Sequence, residues 1–191
     1  MNEKLKEIIE ILKQRINLKV AAGCAGLLFL IIGGIVWVSR PNPKIILAAK
    51  EVMSVAEEIR KFYRNRPGYW GLNTESVLKN NLLPASFIQN GKTVNALGKN
   101  ILIGQGAEGN LVMPGARSFD IVFADLDKKE CEQLAEFQFT ENQSLGLLSI
   151  TIINNGQQTE FSWGGENKLP ITAENARRYC GKQTSLLWTF E

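Results

Sequence analysis

Residues 148–163, LSITIINNGQQTEFSW, decide the fold of the C-terminal part of this chain. Two runs typical of strands, Leu148–Ile153 and Gln158–Trp163, flank the segment Asn154-Asn155-Gly156-Gln157. An Asn-Gly pair favours a type I′ turn, whose twist matches that of two paired strands. We therefore predict an antiparallel β-hairpin here, inside an antiparallel sheet.

Further strands and short helices surround the hairpin. Phe119, Ile121 and Phe123 alternate with Asp120 and Val122, which is the period of a half-buried strand. Strands are predicted at Asn100–Gly104, Asn110–Met113, Ser118–Ala124 and Ser185–Phe190. Short helices are predicted after Gly71–Thr74, behind an Asp127/Glu130 capping box, and from a Thr172 cap to about Cys180. This order indicates an α+β fold.

A longer helix precedes these elements and runs from Pro43 to about Asn65. Apolar residues recur along it at three-to-four spacing, and they are Ile45, Ala49, Val52, Ala56, Ile59 and Tyr63. Lys50, Glu51, Glu57, Glu58 and Arg60 fill the other side, so the helix is amphipathic and must pack its apolar stripe on something. We expect that partner to be one face of the sheet.

The apolar run from Val20 to Val38, VAAGCAGLLFLIIGGIVWV, contains no charged residue. At about 1.5 Å per residue, a helix of this length spans close to the ~30 Å hydrocarbon core of a bilayer. We predict a transmembrane helix here, and Arg40-Pro41-Asn42-Pro43 should kink its continuation. The expected anchor residues are Val20, Leu27, Leu28, Phe29, Leu30, Ile31, Ile32, Ile35, Val36, Trp37 and Val38.

The excess of basic residues before the apolar run predicts that the two ends of the chain lie on opposite sides of the membrane. Residues 1–19 form a basic amphipathic leader with five basic and three acidic residues. Cytoplasmic flanks carry the excess of Lys and Arg, so we expect this leader to stay in the cytoplasm. Residues 39–66 would then form the kink and the amphipathic helix, and residues 67–191 an extracytoplasmic domain.

Cys131 and Cys180 are the two cysteines of the predicted outer domain. In an oxidising compartment they would form a disulfide, whereas the alternative is a pair of buried thiols. Cys24 lies in the apolar run, where it suits the role of a small packing residue.

The composition argues against nucleic-acid binding and catalysis. The chain has 22 basic and 19 acidic residues, which leaves 17 and 16 after residue 19, and this near-neutral balance is atypical of a nucleic-acid-binding domain. There is no histidine, which excludes Ser-His and Cys-His pairs and makes a zinc site implausible. Gly104–Gly109 matches G-x-G-x-x-G, but strand and turn residues follow where a dinucleotide site needs a helix. We predict no enzyme activity, no cofactor and no small-molecule substrate.

The order of features resembles type IV pilins, and the head resembles their type IVb, PilS-like branch. The resemblance covers roughly residues 45–191, and its parts are individually short. They are Tyr69–Thr74, Leu83-Pro84, Asn95–Gly98, Phe119–Phe123, Cys131, and the stretch from Thr172 through Cys180 to Leu187–Phe190. The resemblance implies a membrane helix in a filament core, an amphipathic helix seated on the sheet, and a disulfide-closed loop at the subunit surface. The implied partners are other pilin or secretion-machine subunits, in the bacterial inner membrane or in a surface filament.

The N-terminus departs from the pilin pattern. Pilin precursors are cut after a glycine before the apolar helix, and the fifth residue of the mature chain is a glutamate. Gly23 and Gly26 are the candidate cut points, yet the fifth residues that follow them are Leu28 and Ile31. Two hypotheses follow: a pilin-like subunit, of minor type, in a pilus or secretion filament, or a non-polymerising membrane-anchored accessory protein with a pilin-like binding domain.

Overall fold

The computed structural model describes residues 42–89, 91–104, 117–137 and 146–191, all within the second of two units, residues 1–41 and 42–191. The predicted leader, membrane helix and anchor residues, the cut points Gly23 and Gly26, and the strand Asn110–Met113 lie outside the described residues. Among the described helices, none combines the length and apolarity that crossing a bilayer requires.

The first helix, α1, spans Pro43–Tyr63 and begins as the sequence predicts. Its N-terminus is capped by the Asn42 side chain, which accepts a hydrogen bond of 3.0 Å from the backbone N–H of Lys44. The proline supplies a fixed φ at the first helical position, where no N–H is needed. All six residues of the predicted apolar stripe are buried, together with Ala48 and Val55. The amphipathic helix is therefore confirmed, and it ends two residues earlier than expected.

A five-stranded antiparallel sheet packs against the apolar face of α1. Its strands are β3 (Ile101–Gly104), β4 (Phe119–Leu126), β5 (Leu147–Asn154), β6 (Gln157–Ser162) and β7 (Thr184–Phe190), in the order β3-β4-β7-β5-β6. The predicted strands within the described residues are confirmed with shifts of one or two residues at their ends. A separate two-stranded hairpin, β1 (Ile88–Gln89) and β2 (Lys92–Thr93), was not predicted, because its strands are too short to show a period.

The β5–β6 hairpin has the predicted turn. Asn154 pairs with Gln157, which leaves Asn155 and Gly156 as a two-residue loop with φ of 51° and 77°. Two successive positive φ values are the mark of a type I′ turn. Trp163 lies just outside β6, and its indole N–H instead donates to the carbonyl of Leu147 at 2.9 Å.

The core lies between the sheet and the helices. Along β7, alternate side chains are buried, and those of Thr184, Leu186 and Trp188 have no exposed surface. The described part of the head also has three short α-helices, α2 (Thr74–Lys79), α3 (Lys128–Ala135) and α4 (Ala173–Tyr179), and a 3-10 helix, Ala85–Phe87. The predicted caps of α3 and α4 are confirmed. Asp127 and Glu130 exchange hydrogen bonds of 2.8 Å, and Thr172 accepts from the N–H of Asn175.

Candidate assembly surface

The disulfide that the sequence suggests is present. Cys131 lies in α3 and Cys180 follows α4, and their Cα atoms are 5.8 Å apart. Both side chains are buried, with exposed fractions of 0% and 4%. The bond closes a loop that contains the rest of α3, the β5–β6 hairpin and α4. The part of the chain expected to form the subunit surface is thus tied to the core at both ends.

The free edge of β6 is partly covered by the segment that follows it. The N–H of Ser162 donates to the carbonyl of Asn167 at 3.0 Å, and the N–H of Leu169 donates to the carbonyl of Ser162 at 3.2 Å. The side-chain amide of Asn167 donates to the carbonyl of Glu160 at 3.2 Å. An uncovered edge strand is a template for indiscriminate pairing with other chains. Contacts at this edge must therefore depend mainly on side chains.

The side chains that line a depression beside this edge are mainly polar or acidic, while Lys168, on the covering segment, is exposed and basic. A shallow depression of about 490 Å³ beside β6 is lined by Glu160, Glu166, Gln158 and Asn167 among others, and none of the residues that line it is basic. Both carboxylates are exposed. We call Gln158, Glu160, Glu166 and Asn167 the acidic edge.

A larger groove, of about 590 Å³, lies where α1 ends near the last residue of the chain. Its wall carries five basic side chains and two acidic ones, and we call this surface the arginine groove. The basic members are Arg60, Lys61, Arg64, Arg66 and Arg117, and the acidic members are Glu57 and Glu191.

A chain of aromatic contacts supports the floor of this groove. Tyr63 and Tyr69 have ring centroids 5.5 Å apart, and Tyr69 in turn lies 4.6 Å from Phe119. Phe119 stacks on Phe190 at 5.5 Å. This series links the last turn of α1, through Tyr69 in the following turn, with β4 and β7.

Two arginines of the groove are held by neighbouring rings. The guanidinium of Arg66 lies 4.4 Å from the ring centroid of Phe62 and 4.9 Å from that of Tyr63, which is the geometry of a cation–π contact. Arg60 forms a hydrogen bond with Tyr69. Burial raises the pKa of the Tyr69 hydroxyl, Arg60 offsets this rise in part, and the charge of Glu191 adds to it.

Glu51 is a half-buried acid on α1. Its carboxylate accepts a hydrogen bond of 2.8 Å from the N–H of Ala96, which joins the helix to the turn before β3. Burial raises the pKa of Glu51, and the hydrogen bond lowers it in part. The sequence places Glu51 opposite the apolar stripe of α1, and the structure shows that the 95–99 turn packs over this position.

The arginine groove was not predicted from the sequence. Arg60 was assigned to the outer face of the helix, and Arg117 and Glu191 carried no prediction. The four basic residues between positions 60 and 66 are recognisable as a basic cluster in the sequence. Their proximity to residues 117 and 191 is not, because it depends on the order of the strands. Of the Gly104–Gly109 motif, only Gly104 is described, and it ends β3.

Within the described residues, no group of three or more His, Cys, Asp or Glu side chains is placed to hold a metal ion. The arginine groove is lined by charged and aromatic side chains and the acidic edge by carboxylates and amides, groups that can form ion pairs and hydrogen bonds.

A long helix packed on one face of an antiparallel sheet, with a disulfide-closed C-terminal loop, defines a pilin-like head. The chain belongs to the Bundlin family, a family of type IV pilins, because the profile of that family matches residues 39–186. Family and fold together support a pilin subunit, and both are structural rather than enzymatic.

Two solved structures are similar to this chain. TcpA, a type IV pilin from the Vibrio cholerae El Tor biotype, matches with a TM-score of 0.51 and 15% identity, over 78% of this chain and all of its own. A type IVb pilin from Salmonella typhi matches with a TM-score of 0.49 and 14% identity, over 74% of this chain and 95% of its own. No curated protein matches the sequence significantly.

Proposed function

We propose that this chain is a minor structural subunit of a bacterial type IV pilus or of a related secretion or conjugation filament. The observation that carries the proposal is the match of the Bundlin family over most of a head that has the pilin fold. The head presents charged surfaces to partners and ties its C-terminal loop to the core with a disulfide. These are properties that a subunit exposed outside the cytoplasm needs.

The anchoring of the subunit follows from the first part of the sequence. We propose that residues 20–38 span the inner membrane, with residues 1–19 in the cytoplasm and residues 67–191 in the periplasm or on a filament. The uncharged run and its basic flank support this orientation. Residues 39–66 would hold the kink and α1, the helix that packs on the sheet.

The assignment as a minor subunit depends on the absence of the glutamate that pilins carry near the start of the mature chain. No acidic residue occurs between Lys19 and Glu51, so neither candidate cut point is followed by the glutamate that pilins carry. The same observation favours the alternative function, a non-polymerising accessory protein of a secretion or conjugation system. In that case the pilin-like head would bind a partner at the membrane.

Filament fractionation tests the proposal. Cells that express the tagged full chain are sheared, and the fibre and membrane fractions are probed for the tag. We expect the protein in the fibres together with other pilus subunits. Its restriction to the membrane fraction would overturn the proposal in favour of the accessory protein.

The intact mass of the protein in each fraction tests its maturation. We expect a mass that corresponds to cleavage after Gly23 or Gly26. Gly23→Val and Gly26→Val variants identify which bond is cut, and Gly33→Val, in the same apolar run, is the matched control. A full-length mass in every fraction would mean a permanent anchor and would again support the accessory protein.

A further inference from the structure

We infer that the arginine groove of one copy of this chain binds the acidic edge of a second copy, in a head-to-tail contact. This inference rests on the proposed function and requires that two copies of the minor subunit lie next to each other in the filament. It adds which surfaces meet and which charges carry the contact.

The first argument is the distribution of charge within the head. The described residues 42–117 include ten basic and four acidic residues, whereas the described residues from 118 to 191 include six basic and ten acidic ones. The two halves of one head therefore carry opposite net charges. Surfaces of opposite sign steer association and fix the orientation of partners.

The second argument is that the arginines of the groove are exposed. Arg64, Arg66 and Arg117 are all exposed, and no described carboxylate lies within ion-pair distance of Arg64 or Arg117. Guanidinium groups bind carboxylates with two parallel hydrogen bonds, a geometry that lysine cannot offer. The groove thus presents open positions for carboxylates of a partner.

The third argument is the composition of the groove. Arginine and tyrosine are the residues most often found at the energetic centre of protein interfaces, as is tryptophan. Trp70 directly follows Tyr69 of the groove and is 55% exposed. Glu57 and Glu191 would repel a uniformly acidic polymer, so the mixed charge of the wall favours a protein surface over a polyanion.

The fourth argument concerns symmetry. The groove and the acidic edge are formed by different elements, so a contact between them joins two different surfaces of identical chains. A heterologous contact generates an open filament when the rotation from each copy to the next does not lead back to the first copy. Each end of such a filament then has an unoccupied groove or an unoccupied acidic edge. Two copies that are neighbours along a filament would meet through a contact of this type.

Site-specific photo-crosslinking of the full chain in its own cells tests the inference. A benzophenone amino acid replaces Lys61, whose side chain is 75% exposed and which, among the described residues, forms a 3.9 Å ion pair with Glu58. We expect a crosslinked dimer in which the second copy is modified near Glu160 or Glu166. Crosslinks to another protein, to a polysaccharide or to lipid, or no crosslink at all, would overturn the inference.

Charge reversal supplies the second test. Arg64→Glu with Arg117→Glu should reduce the dimer yield about tenfold or more, because like charges would then face each other. In isolated membranes, the wild-type yield should fall as salt rises from about 0.05 M to about 0.5 M. Lys92→Glu with Lys182→Glu makes the same change in net charge at exposed positions outside the groove and should leave the yield unchanged. Equal yields from the groove and control variants would overturn the inference.

Exchanging the charges of the two surfaces shows whether the groove variant loses the dimer because the contact is lost or because the head is misfolded. Adding Glu160→Arg and Glu166→Arg to the groove variant should restore the dimer. Failure to restore it, while the Cys131–Cys180 disulfide still forms, would show that the acidic edge is not the partner surface. Fibre fractionation in the same cells keeps the two claims apart: wild-type protein in fibres without the dimer would overturn this inference alone, and absence from fibres would overturn the proposed function.

Discussion

Reduction of the Cys131–Cys180 disulfide should lower the free energy of unfolding of the head by about 4 kcal/mol. The two cysteines are separated by 49 positions, so reduction frees a long loop in the unfolded chain. The loop-entropy relation gives about 14 cal/mol/K for this length, which at 298 K is about 4 kcal/mol. Since a domain of this size has only about 5–15 kcal/mol of stability in total, the loss is large.

Urea unfolding of the full chain in detergent, with and without a reductant, measures this difference. Trp188 has no exposed surface in the folded head, so its fluorescence reports the loss of the core, whereas Trp163 is 39% exposed. Comparing oxidised and reduced forms of one sequence keeps both sulfur atoms in the core and isolates the effect of the bond. The variant Cys131→Ala/Cys180→Ala is the control, because its stability should not respond to the reductant. A difference below about 1 kcal/mol would refute the loop-entropy reasoning for this head.

Three further predictions concern single positions. Burial raises the pKa of Glu51 in the folded head, with the hydrogen bond from Ala96 as a partial offset, so the folded state holds this proton more tightly than the unfolded state. Stability should therefore fall as pH rises from the ordinary value of 4.5 through the raised pKa, and Glu51→Gln should remove this part of the decline in urea midpoints. Gly156→Ala should cost about 1–2 kcal/mol, because Gly156 has φ of 77°, whereas Gly164→Ala, at a glycine without positive φ and with open space around it, is the neutral control; equal unfolding midpoints for the two would contradict the type I′ turn. Asp127→Ala should cost about 1 kcal/mol through loss of the α3 cap, while Asp127→Asn, which keeps the acceptor oxygen, should stay close to wild type in the same melts.

The local features of the head could be predicted from sequence because neighbouring residues determine them. The Asn155-Gly156 turn, the capping box at Asp127 and the apolar stripe of α1 each depend on spacing along a short segment. Spacing alone predicted these elements to within one or two residues at their ends.

Features that depend on distant residues were beyond the same reasoning. Glu51 has the position of a solvated helix residue, and only the packing of the 95–99 turn makes it half-buried. The arginine groove joins the end of α1 to Arg117 and Glu191, which lie far apart in sequence. The period of a strand indicates which of its residues face inward, but it carries no information about which strand lies beside it.

The position of β7 has a consequence for how the head is made. β7 follows every other strand in the sequence, yet it lies at the centre of the sheet, where it pairs with both β4 and β5. Until β7 has been synthesised and has joined the sheet, β3-β4 and β5-β6 remain two separate pairs with bare edges. A chain interrupted before β7 would leave these edges and the apolar face of α1 unprotected, so proteases should remove it. Because of this strand order, the head becomes stable only after β7 has been synthesised and has joined the sheet.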